Sequence, residues 1–347
     1  MKKRENCMKS PNTILIRFPN WVGDVVMATP VAQCLKENYP QSKIIAIVRK
    51  YASQVLEDCP WLDDIIDCSD QKISSFWQTA QAVRALHPDM AIVLPNSWRS
   101  LLTLWLGGTK KIYGYRVRGR SLMLANGPKP LLQNGKILPI PMLEYYLEIC
   151  RFLSLNIPHE PKPCLFFSEE VKQRGEALLQ KHGIQKDDFV IGINPGAKFG
   201  SSKCWPESYF ARLAELLGSR IKSKLLLFVG PGEEKIANSI ISQSKVCLIN
   251  TANELDLAIL KPLVKRCQIL VTNDTGTRHY AVALGVPTVV IIGSTDPRYT
   301  ASNLEKTIVL REEIDCSPCH KKICPGDHKC MTMITPEKVL QACEKFM

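Results

Sequence analysis

The sequence lacks any long apolar run, and this absence limits where the protein can reside. No stretch approaches the roughly 18 to 20 apolar residues of a membrane-spanning helix. The basic N-terminus leads only into residues 14–18, which are too short for the core of a signal peptide. Hydrophobic residues make up 45% of the chain and aromatic residues only 7%, as in globular proteins. We therefore expect a cytoplasmic protein.

Acidic residues are absent between Asp89 and Glu144, although the whole chain carries a formal net charge of +12. A segment with charge of one sign is a candidate docking surface for nucleic acid, anionic lipid or an acidic sugar. A solvated face with a chance bias gives the same pattern, so both interpretations stay open. The basic residues in this segment are Arg99, Lys110, Lys111, Arg116, Arg118, Arg120, Lys129 and Lys136.

Fourteen cysteines in a cytoplasmic chain do not by themselves indicate disulfide bonds. Ten are scattered, and we expect them to pack as small apolar residues, as Cys34 and Cys267 would. Four thiols within fifteen positions can enclose one tetrahedral metal ion, but their spacing differs from that of common zinc ribbons. A structural zinc site, local cross-links and free thiols in a compact loop remain alternatives for Cys316, Cys319, Cys324 and Cys330.

Apolar strands alternate with amphipathic helices in both halves of the chain. The predicted elements include a strand over residues 43–48 and helices over residues 25–38, 98–106 and 255–267. This alternation is typical of α/β folds with a parallel sheet covered by helices on both faces. Residues 156–163 contain three prolines and predict the approach to an interdomain linker. Because 347 residues exceed what one core usually organises, we predict two Rossmann-like domains, 1–165 and 166–347, that face each other across a cleft. Ligands bind at the carboxyl ends of the strands in such sheets.

A polar turn follows the apolar strand predicted over residues 268–272. Gly276 would let a ligand approach the backbone, and the first N–H groups of the next helix have no partner within the helix. Negative charge is favoured there, which suggests a ligand that carries phosphate. The alternative is an ordinary turn in which Asp274 caps the helix.

Three further loops follow predicted strands. Gly23 permits a sharp turn before Asp24, which is either a helix cap or a catalytic carboxylate. The Gly-x-Gly-x-x-Gly fingerprint is missing there, which counts against a nicotinamide dehydrogenase. Lys203 is a suitable point charge for a pyrophosphate. Glu233 or Glu234 would accept hydrogen bonds from a ribose or favour a helix N-terminus.

Together these loops resemble those of the ADP-heptose:lipopolysaccharide heptosyltransferases, glycosyltransferase family 9. The resemblance extends from Thr13 to the C-terminus and depends on five short motifs in a fixed order. Each motif is weak alone, and their combination is specific. The motifs are Trp21-Val-Gly-Asp24, Leu94-Pro-Asn-Ser97, Pro195-Gly-Ala-Lys-Phe-Gly200, Lys203-x-Trp-Pro206 and Asn273-Asp-Thr-Gly-x-x-His279.

The resemblance implies a GT-B fold and an inverting transfer that requires no metal ion. The donor would be ADP-heptose, and the acceptor would be the first heptose of the anionic Kdo-lipid A core, at the inner leaflet of the inner membrane. An enzyme with this acceptor would lie peripherally on that membrane. Asp24 matches the general base of the family and Lys203 its pyrophosphate-binding lysine. The donor-binding residues would be Glu234, with adjacent Glu233 as the alternative register, and Asp274, Thr275, Gly276 and His279.

The chemistry of inverting transfer agrees with these assignments. A base removes the proton of the acceptor hydroxyl while ADP leaves from the opposite face, and negative charge develops on the pyrophosphate. Basic residues on the acceptor side would meet the carboxylates and phosphates of the acceptor. The candidates for that role are Arg99, Arg116, Arg118 and Arg120.

Two other functions are compatible with parts of the sequence. A GT-B glycosyltransferase with a different nucleotide sugar would have similar donor loops. A basic nucleic-acid-binding protein with a metal-bound C-terminal segment is a more distant alternative. We expect no nucleic-acid partner, because apolar, core-like stretches interrupt the basic run.

Zinc content and thermal stability test the cysteine hypothesis. If Cys316, Cys319, Cys324 and Cys330 enclose a structural ion, purified protein should carry about one equivalent of zinc and melt at a lower temperature after chelation. Activity should survive chelation wherever the fold persists, because the expected catalysis requires no metal. Metal-free protein with unchanged melting would instead support free thiols.

Overall fold

Two compact units make up the chain in the computed structural model, which describes residues 10–68 and 73–347. The first unit comprises residues up to 21, 28–138 and 142–161. The second comprises residues 22–27, 139–141 and 162–347. The sequence predicts a single boundary after residue 165. In the structure, the main crossing from the first unit to the second lies between residues 161 and 162. Two earlier segments, residues 22–27 and 139–141, also belong to the second unit.

Five parallel strands form the main sheet of the first unit, in the order β3-β2-β1-β4-β5. They are β1 (Thr13–Arg17), β2 (Lys43–Val48), β3 (Asp64–Asp67), β4 (Met90–Val93) and β5 (Lys111–Gly114). A separate antiparallel pair consists of β6 (Leu132–Gln133) and β7 (Lys136–Ile137). The helices up to residue 152 are α1 (Val22–Met27), α2 (Thr29–Asn38), α3 (Lys50–Leu56), α4 (Ile73–Ala85), α5 (Trp98–Leu106) and α6 (Met142–Phe152), of which α1 belongs to the second unit.

Six parallel strands form the sheet of the second unit, in the order β10-β9-β8-β11-β12-β13. They are β8 (Val190–Asn194), β9 (Lys224–Leu227), β10 (Leu248–Asn250), β11 (Ile269–Asn273), β12 (Thr288–Ile291) and β13 (Thr307–Leu310). The helices are α7 (Glu169–Lys181), α8 (Glu207–Arg220), α9 (Glu234–Gln243), α10 (Leu260–Arg266), α11 (Gly276–Leu284), α12 (Lys329–Thr332) and α13 (Pro336–Glu344).

The central strands are buried along their whole length, as their continuous apolar sequences predict. Every residue of β4, β8, β11 and β12 is buried. Parallel strands covered by helices on both faces have this pattern, because both faces are removed from water. Each unit is therefore Rossmann-like, as the sequence predicts.

The strand order reverses direction between β1 and β4 in the first unit and between β8 and β11 in the second. At such a point the loops from the two neighbouring strands leave in opposite directions and open a crevice at the carboxyl ends. Asn194 ends β8 and Asn273 ends β11, so the polar loops of the second unit begin beside this crevice.

Two helix predictions are wrong in their extent. One continuous helix predicted over residues 25–38 is instead divided into α1 and α2, with Pro30 in the first turn of α2. Proline fits a first turn because it has no N–H to donate. The helix predicted over residues 255–267 is only α10, and it contains Pro262 near its start.

No helix in the described part of the chain is both long and apolar enough to span a membrane.

Candidate functional site

Asp274 lies directly after β11, and its buried carboxylate accepts hydrogen bonds from three side chains of the second unit. Lys203 Nζ donates to Asp274 Oδ2 at 2.8 Å and to its main-chain oxygen at 2.9 Å. Arg278 Nη1 donates to Oδ1 at 2.8 Å, and the Thr295 hydroxyl donates to Oδ2 at 2.6 Å. Only 8% of Asp274 is exposed to solvent. The carboxylate therefore fixes two cations at the carboxyl end of the strand.

The charges around Asp274 do not cancel. Burial raises the pKa of its carboxyl group, but the neighbouring Arg278 and Lys203 cations and the hydrogen bonds outweigh burial and hold the pKa well below its usual range. One carboxylate and two cations leave one net positive charge, close to the N-terminus of α11. A helix N-terminus also favours negative charge. The arrangement suits an anionic ligand.

His279 lies on the same helix and is neutral at physiological pH. Burial and the nearby positive charge of Arg278 lower the pKa of His279 to about 3. A neutral imidazole can donate one hydrogen bond and accept another. His279 therefore adds polar groups to the site without adding charge.

Helix α1 packs against α11 at two glycines. A Cβ atom at Gly23 would lie 2.6 Å from His279 Cδ2, and one at Gly276 would lie 3.0 Å from Val22 Cγ1. Glycine is required for this approach at Gly23, because real Cβ atoms do not occupy such short contacts. The packing brings half-buried Asp24, in the first turn of α1, into the same unit as the Asp274 loop.

The Lys203 loop is anchored by the residues that follow it. Asn273 Oδ1 accepts a hydrogen bond from Trp205 N at 3.1 Å, and Asn273 Nδ2 donates to the Pro195 oxygen at 2.6 Å. The indole of Trp205 is buried and donates to the Ile334 oxygen at 2.8 Å. These bonds tie the loops after β8 and β11 together, so that Lys203 reaches Asp274.

The cysteine-rich segment, residues 316–330, packs on the other side of this loop. Ser202 N donates to the Lys322 oxygen at 3.1 Å, and its hydroxyl contacts Ser294 at 3.1 Å and the Lys321 oxygen. His328 Nε2 lies 2.9 Å from the Ser202 oxygen. A Cβ at Gly200 would lie 2.2 Å from the Lys322 oxygen. The segment thus braces the loop that carries Lys203.

The four cysteines of this segment are free thiols that differ in exposure. Cys316 is exposed, Cys319 and Cys324 are half-buried, and Cys330 is buried. Burial and the nearby thiols of Cys324, Cys316 and Cys319 raise the pKa of Cys330 to about 11. Within residues 10–68 and 73–347, no group of three or more His, Cys, Asp or Glu side chains is arranged to hold a metal ion. The zinc site stays a prediction, and this geometry gives it no support.

Glu233 and Glu234 have different surroundings. The carboxylate of Glu233 accepts a hydrogen bond from Gly230 N at 2.9 Å and lies where a Cβ at Gly196 would be. Burial raises the pKa of Glu233. The Glu234 carboxylate accepts from Gly232 N at 3.0 Å, and that hydrogen bond lowers its pKa. Glu233 therefore contacts the loops that follow β8 and β9, whereas the Glu234 carboxylate bonds within the loop that follows β9.

The four candidate arginines lie in the first unit and differ sharply in burial. Arg116 and Arg118 are exposed. Arg99 is half-buried, with its guanidinium 5.4 Å from the ring centre of Phe76. Arg120 is fully buried and donates to the Pro95 oxygen at 2.8 Å. The structure does not bring the four together in one cluster of equivalent cations.

Arg120 has unsatisfied donors. Its Nε and Nη2 have no hydrogen-bond partner in the described part of the chain, and no carboxylate there pairs with it. Burial lowers the pKa of Arg120. Asn96 lies beside it and donates to the Tyr145 hydroxyl at 2.7 Å, while Tyr145 stacks on Tyr115 with ring centres 3.8 Å apart. Buried donors are normally hydrogen-bonded, so the Arg120 guanidinium can accept a further partner.

Several site residues are missing from the sequence predictions. Arg278 stands four positions after Asp274, and helical neighbours at that spacing meet on one face, so the pair was detectable. Thr295 carries no such signal, because it comes from a separate loop. Asn96 belongs to the motif Leu94-Pro-Asn-Ser97, but the motif does not predict that it lies beside Arg120. Only the fold brings them to Asp274 and Arg120.

The sequence profile described as "Glycosyltransferase family 9 (heptosyltransferase)" matches residues 76–329, more than two thirds of the chain. The chain is also similar to "Lipooligosaccharide heptosyltransferase 2" of Haemophilus ducreyi. The two are 28% identical over 96% of this chain and 99% of that protein.

Two solved structures are similar to this one. "Structure of E. coli ADP-heptose lps heptosyltransferase II" shares 26% identity and a TM-score of 0.79, covering 96% of this chain and 98% of that one. A glycosyl transferase family 9 structure from Veillonella parvula has a TM-score of 0.84 at 23% identity, covers 96% and 97%, and supports the GT-B fold. The profile match and the predicted motifs agree: the chain belongs to glycosyltransferase family 9, the heptosyltransferases.

Proposed function

We propose that the protein is a heptosyltransferase II. It transfers L-glycero-D-manno-heptose from ADP-heptose to the first heptose of the Kdo-lipid A core, with inversion at the anomeric carbon. The similarity over nearly the full length to proteins named heptosyltransferase 2 supports this assignment. The acceptor is membrane-borne, so the enzyme acts peripherally at the cytoplasmic face of the inner membrane.

The observation that carries the proposal is the net positive Asp274 cluster at the N-terminus of α11. Lys203 has three N–H donors, two of which contact Asp274, and the third is available to a pyrophosphate oxygen. Asp274 restricts the position of the ammonium group before the donor binds. Because charge develops on ADP as it leaves, a cation fixed in advance stabilises the transition state without further reorganisation.

Thr275, Gly276 and His279 complete the donor-phosphate loop. Gly276 begins α11, so the first N–H groups of the helix are directed toward the phosphates. His279 binds as a neutral imidazole because its pKa is low. On the nucleoside side, the position of Glu233 favours it over Glu234 as the carboxylate that accepts the ribose hydroxyls.

Asp24 acts as the general base in this proposal. Its carboxylate removes the proton of the acceptor hydroxyl as the oxygen attacks the anomeric carbon. The packing of Gly23 on His279 fixes the position of α1 relative to the donor loop. The base and the leaving-group site are therefore held by one pair of helices.

Arg120 is the acceptor-binding candidate with the strongest support in the first unit. Its unsatisfied Nε and Nη2 would pair with a carboxylate or phosphate of the inner core. Arg116 and Arg118 are exposed, and they would add long-range attraction for the same anions. Arg99 stays a weaker candidate because it already contacts Phe76.

A donor screen tests the function as a whole. The purified enzyme should transfer heptose from ADP-heptose to a Kdo-lipid A acceptor bearing one heptose, and mass analysis should show one added heptose. UDP- and GDP-sugars should give no product. Transfer from one of those donors, with none from ADP-heptose, would identify a different GT-B glycosyltransferase.

Replacement of the base should slow catalysis selectively. Asp24→Asn preserves side-chain volume but cannot accept a proton, so kcat should fall by roughly 10²-fold or more with little change in ADP affinity. Steady-state kinetics and ADP titration measure the two effects separately. A kcat close to that of the wild-type enzyme would remove Asp24 from the mechanism.

Removal of the Lys203 ammonium group should lower the affinity for ADP more than the affinity for AMP. Lys203→Ala should weaken ADP and ADP-heptose binding and slow transfer, because the ammonium group serves the pyrophosphate in both the ground and transition states. AMP lacks the second phosphate, and its affinity should change little. Lys222→Ala, at an exposed lysine, is the control. Equal losses for AMP and ADP would show that Lys203 contacts another part of the nucleotide.

A further inference from the structure

The antiparallel hairpin formed by β6 and β7 stands apart from the main sheet of the first unit. Leu132 is paired with Ile137, and Leu138 N donates to the Leu131 oxygen at 2.8 Å. Its two-residue turn is Asn134-Gly135, with φ angles of 51° and 73°. Positive φ at both positions, with this pair of residues, is the preferred way to close a tight hairpin. The hairpin is therefore specified locally by its own sequence.

The apolar side chains of this hairpin are not buried by the protein. Residues 131–137 are all exposed, including 63% of Leu131, 63% of Leu132 and 46% of Ile137. A two-stranded hairpin gains little stability alone, and aliphatic residues exposed together mark an interaction surface. Only a partner outside the first unit can remove these three side chains from water.

The base of the hairpin is fixed to the carboxyl end of β5. Arg116 N donates to the Pro128 oxygen at 2.9 Å. A Cβ at Gly127 would lie 1.8 Å from the Gly114 oxygen, so only glycine permits this approach of the two backbones. The hairpin thus projects from the edge of the sheet near which Arg120 is buried.

Positive charge accompanies the exposed apolar residues. Lys129 and Lys136 are exposed on the hairpin and at its base, and Arg116 lies next to Pro128. Residues 90–143 contain no Asp or Glu, so the segment offers no negative charge of its own. Leu122, also in this segment, is 92% exposed. Aliphatic side chains flanked by lysines match the chemistry of an anionic bilayer surface, where apolar groups enter the acyl boundary and cations meet phosphates.

We propose that residues 128–138 form a docking hairpin that inserts the cross-strand pair Leu132 and Ile137 into the interface of an anionic lipid bilayer. Lys129 and Lys136 contact the lipid phosphates. The inference deepens the proposed function, which supplies a membrane-borne acceptor. Docking by this edge places the inner-core sugars of the same leaflet beside Arg120.

Other occupants fit the surface less well. A nucleic acid would be expected to stack its bases on aromatic side chains, and the exposed large residues of the hairpin are aliphatic. A second copy of the chain would bring two basic segments without acidic residues together, which like charges oppose. Both occupants remain outcomes of the test.

Vesicle sedimentation tests the docking hairpin independently of activity. The full-length protein should bind vesicles of phosphatidylethanolamine and phosphatidylglycerol, and bind weakly to phosphatidylcholine alone. L132S/I137S and, separately, K129Q/K136Q should each reduce the partition coefficient by roughly tenfold or more, since either apolar area or charge is lost. The matched control K186Q/K222Q removes two exposed lysines of the second unit and should change binding little.

Folding and turnover controls accompany the variants. Each should melt within a few degrees of the wild-type protein, because the replaced side chains are exposed. Turnover of a water-soluble inner-core fragment should be unchanged, whereas turnover of acceptor embedded in vesicles should fall. If vesicle binding depends on the hairpin but no heptose is transferred, the docking inference stands and the proposed function fails.

Four results would overturn the inference. The first is vesicle binding by the hairpin variants that equals that of the wild-type protein. The second is wild-type binding to phosphatidylcholine that is as tight as binding to anionic vesicles. A dimer that L132S/I137S dissociates, with no vesicle binding, assigns the surface to a second copy. Nucleic-acid binding that K129Q/K136Q abolishes, again without vesicle binding, assigns it to nucleic acid.

Discussion

The buried carboxylate of Asp274 is the interaction on which the arrangement of loops at the carboxyl ends of β8 and β11 depends. It holds Lys203 and Arg278 within hydrogen-bonding distance in a place where either cation alone would be costly to bury. Because Lys203 and Arg278 share one carboxylate, the three side chains together carry a net positive charge, which favours an anionic ligand. The bond between Lys203 and Asp274 also fixes the loop after β8 against the end of β11. In the proposed function, this one bond therefore stabilises the fold and positions the cation for the donor.

Hydrogen bonds from distant parts of the chain stabilise the contact between Lys203 and Asp274. Trp205 is tied to Asn273 and to the main chain at Ile334, while the cysteine-rich segment supports Ser202 from the other side. The tight approach of Gly200 to Lys322 has a similar effect. A lysine on an irregular loop is thereby positioned nearly as firmly as a residue on a strand, which electrostatic catalysis requires.

The first unit contains a buried cation, Arg120, that has no carboxylate partner among the described residues. Arg120 is buried with two donor atoms that no described residue satisfies, and such an arrangement costs free energy. Exposed leucines and lysines project from the same edge of the sheet.

The sequence by itself determined the alternation of strands and helices and the family, because these depend on local periodicity and on short motifs. It predicted β2 and α5 with their observed bounds, but not the edge strands β5 and β13, which are short and become strands only by pairing with a neighbour. Tertiary structure alone decided that Thr295 reaches Asp274, that Glu233 faces the crevice and that Arg120 is buried while Arg116 is not. Those outcomes depend on which loops the order of the strands brings together. Local sequence patterns do not specify that order.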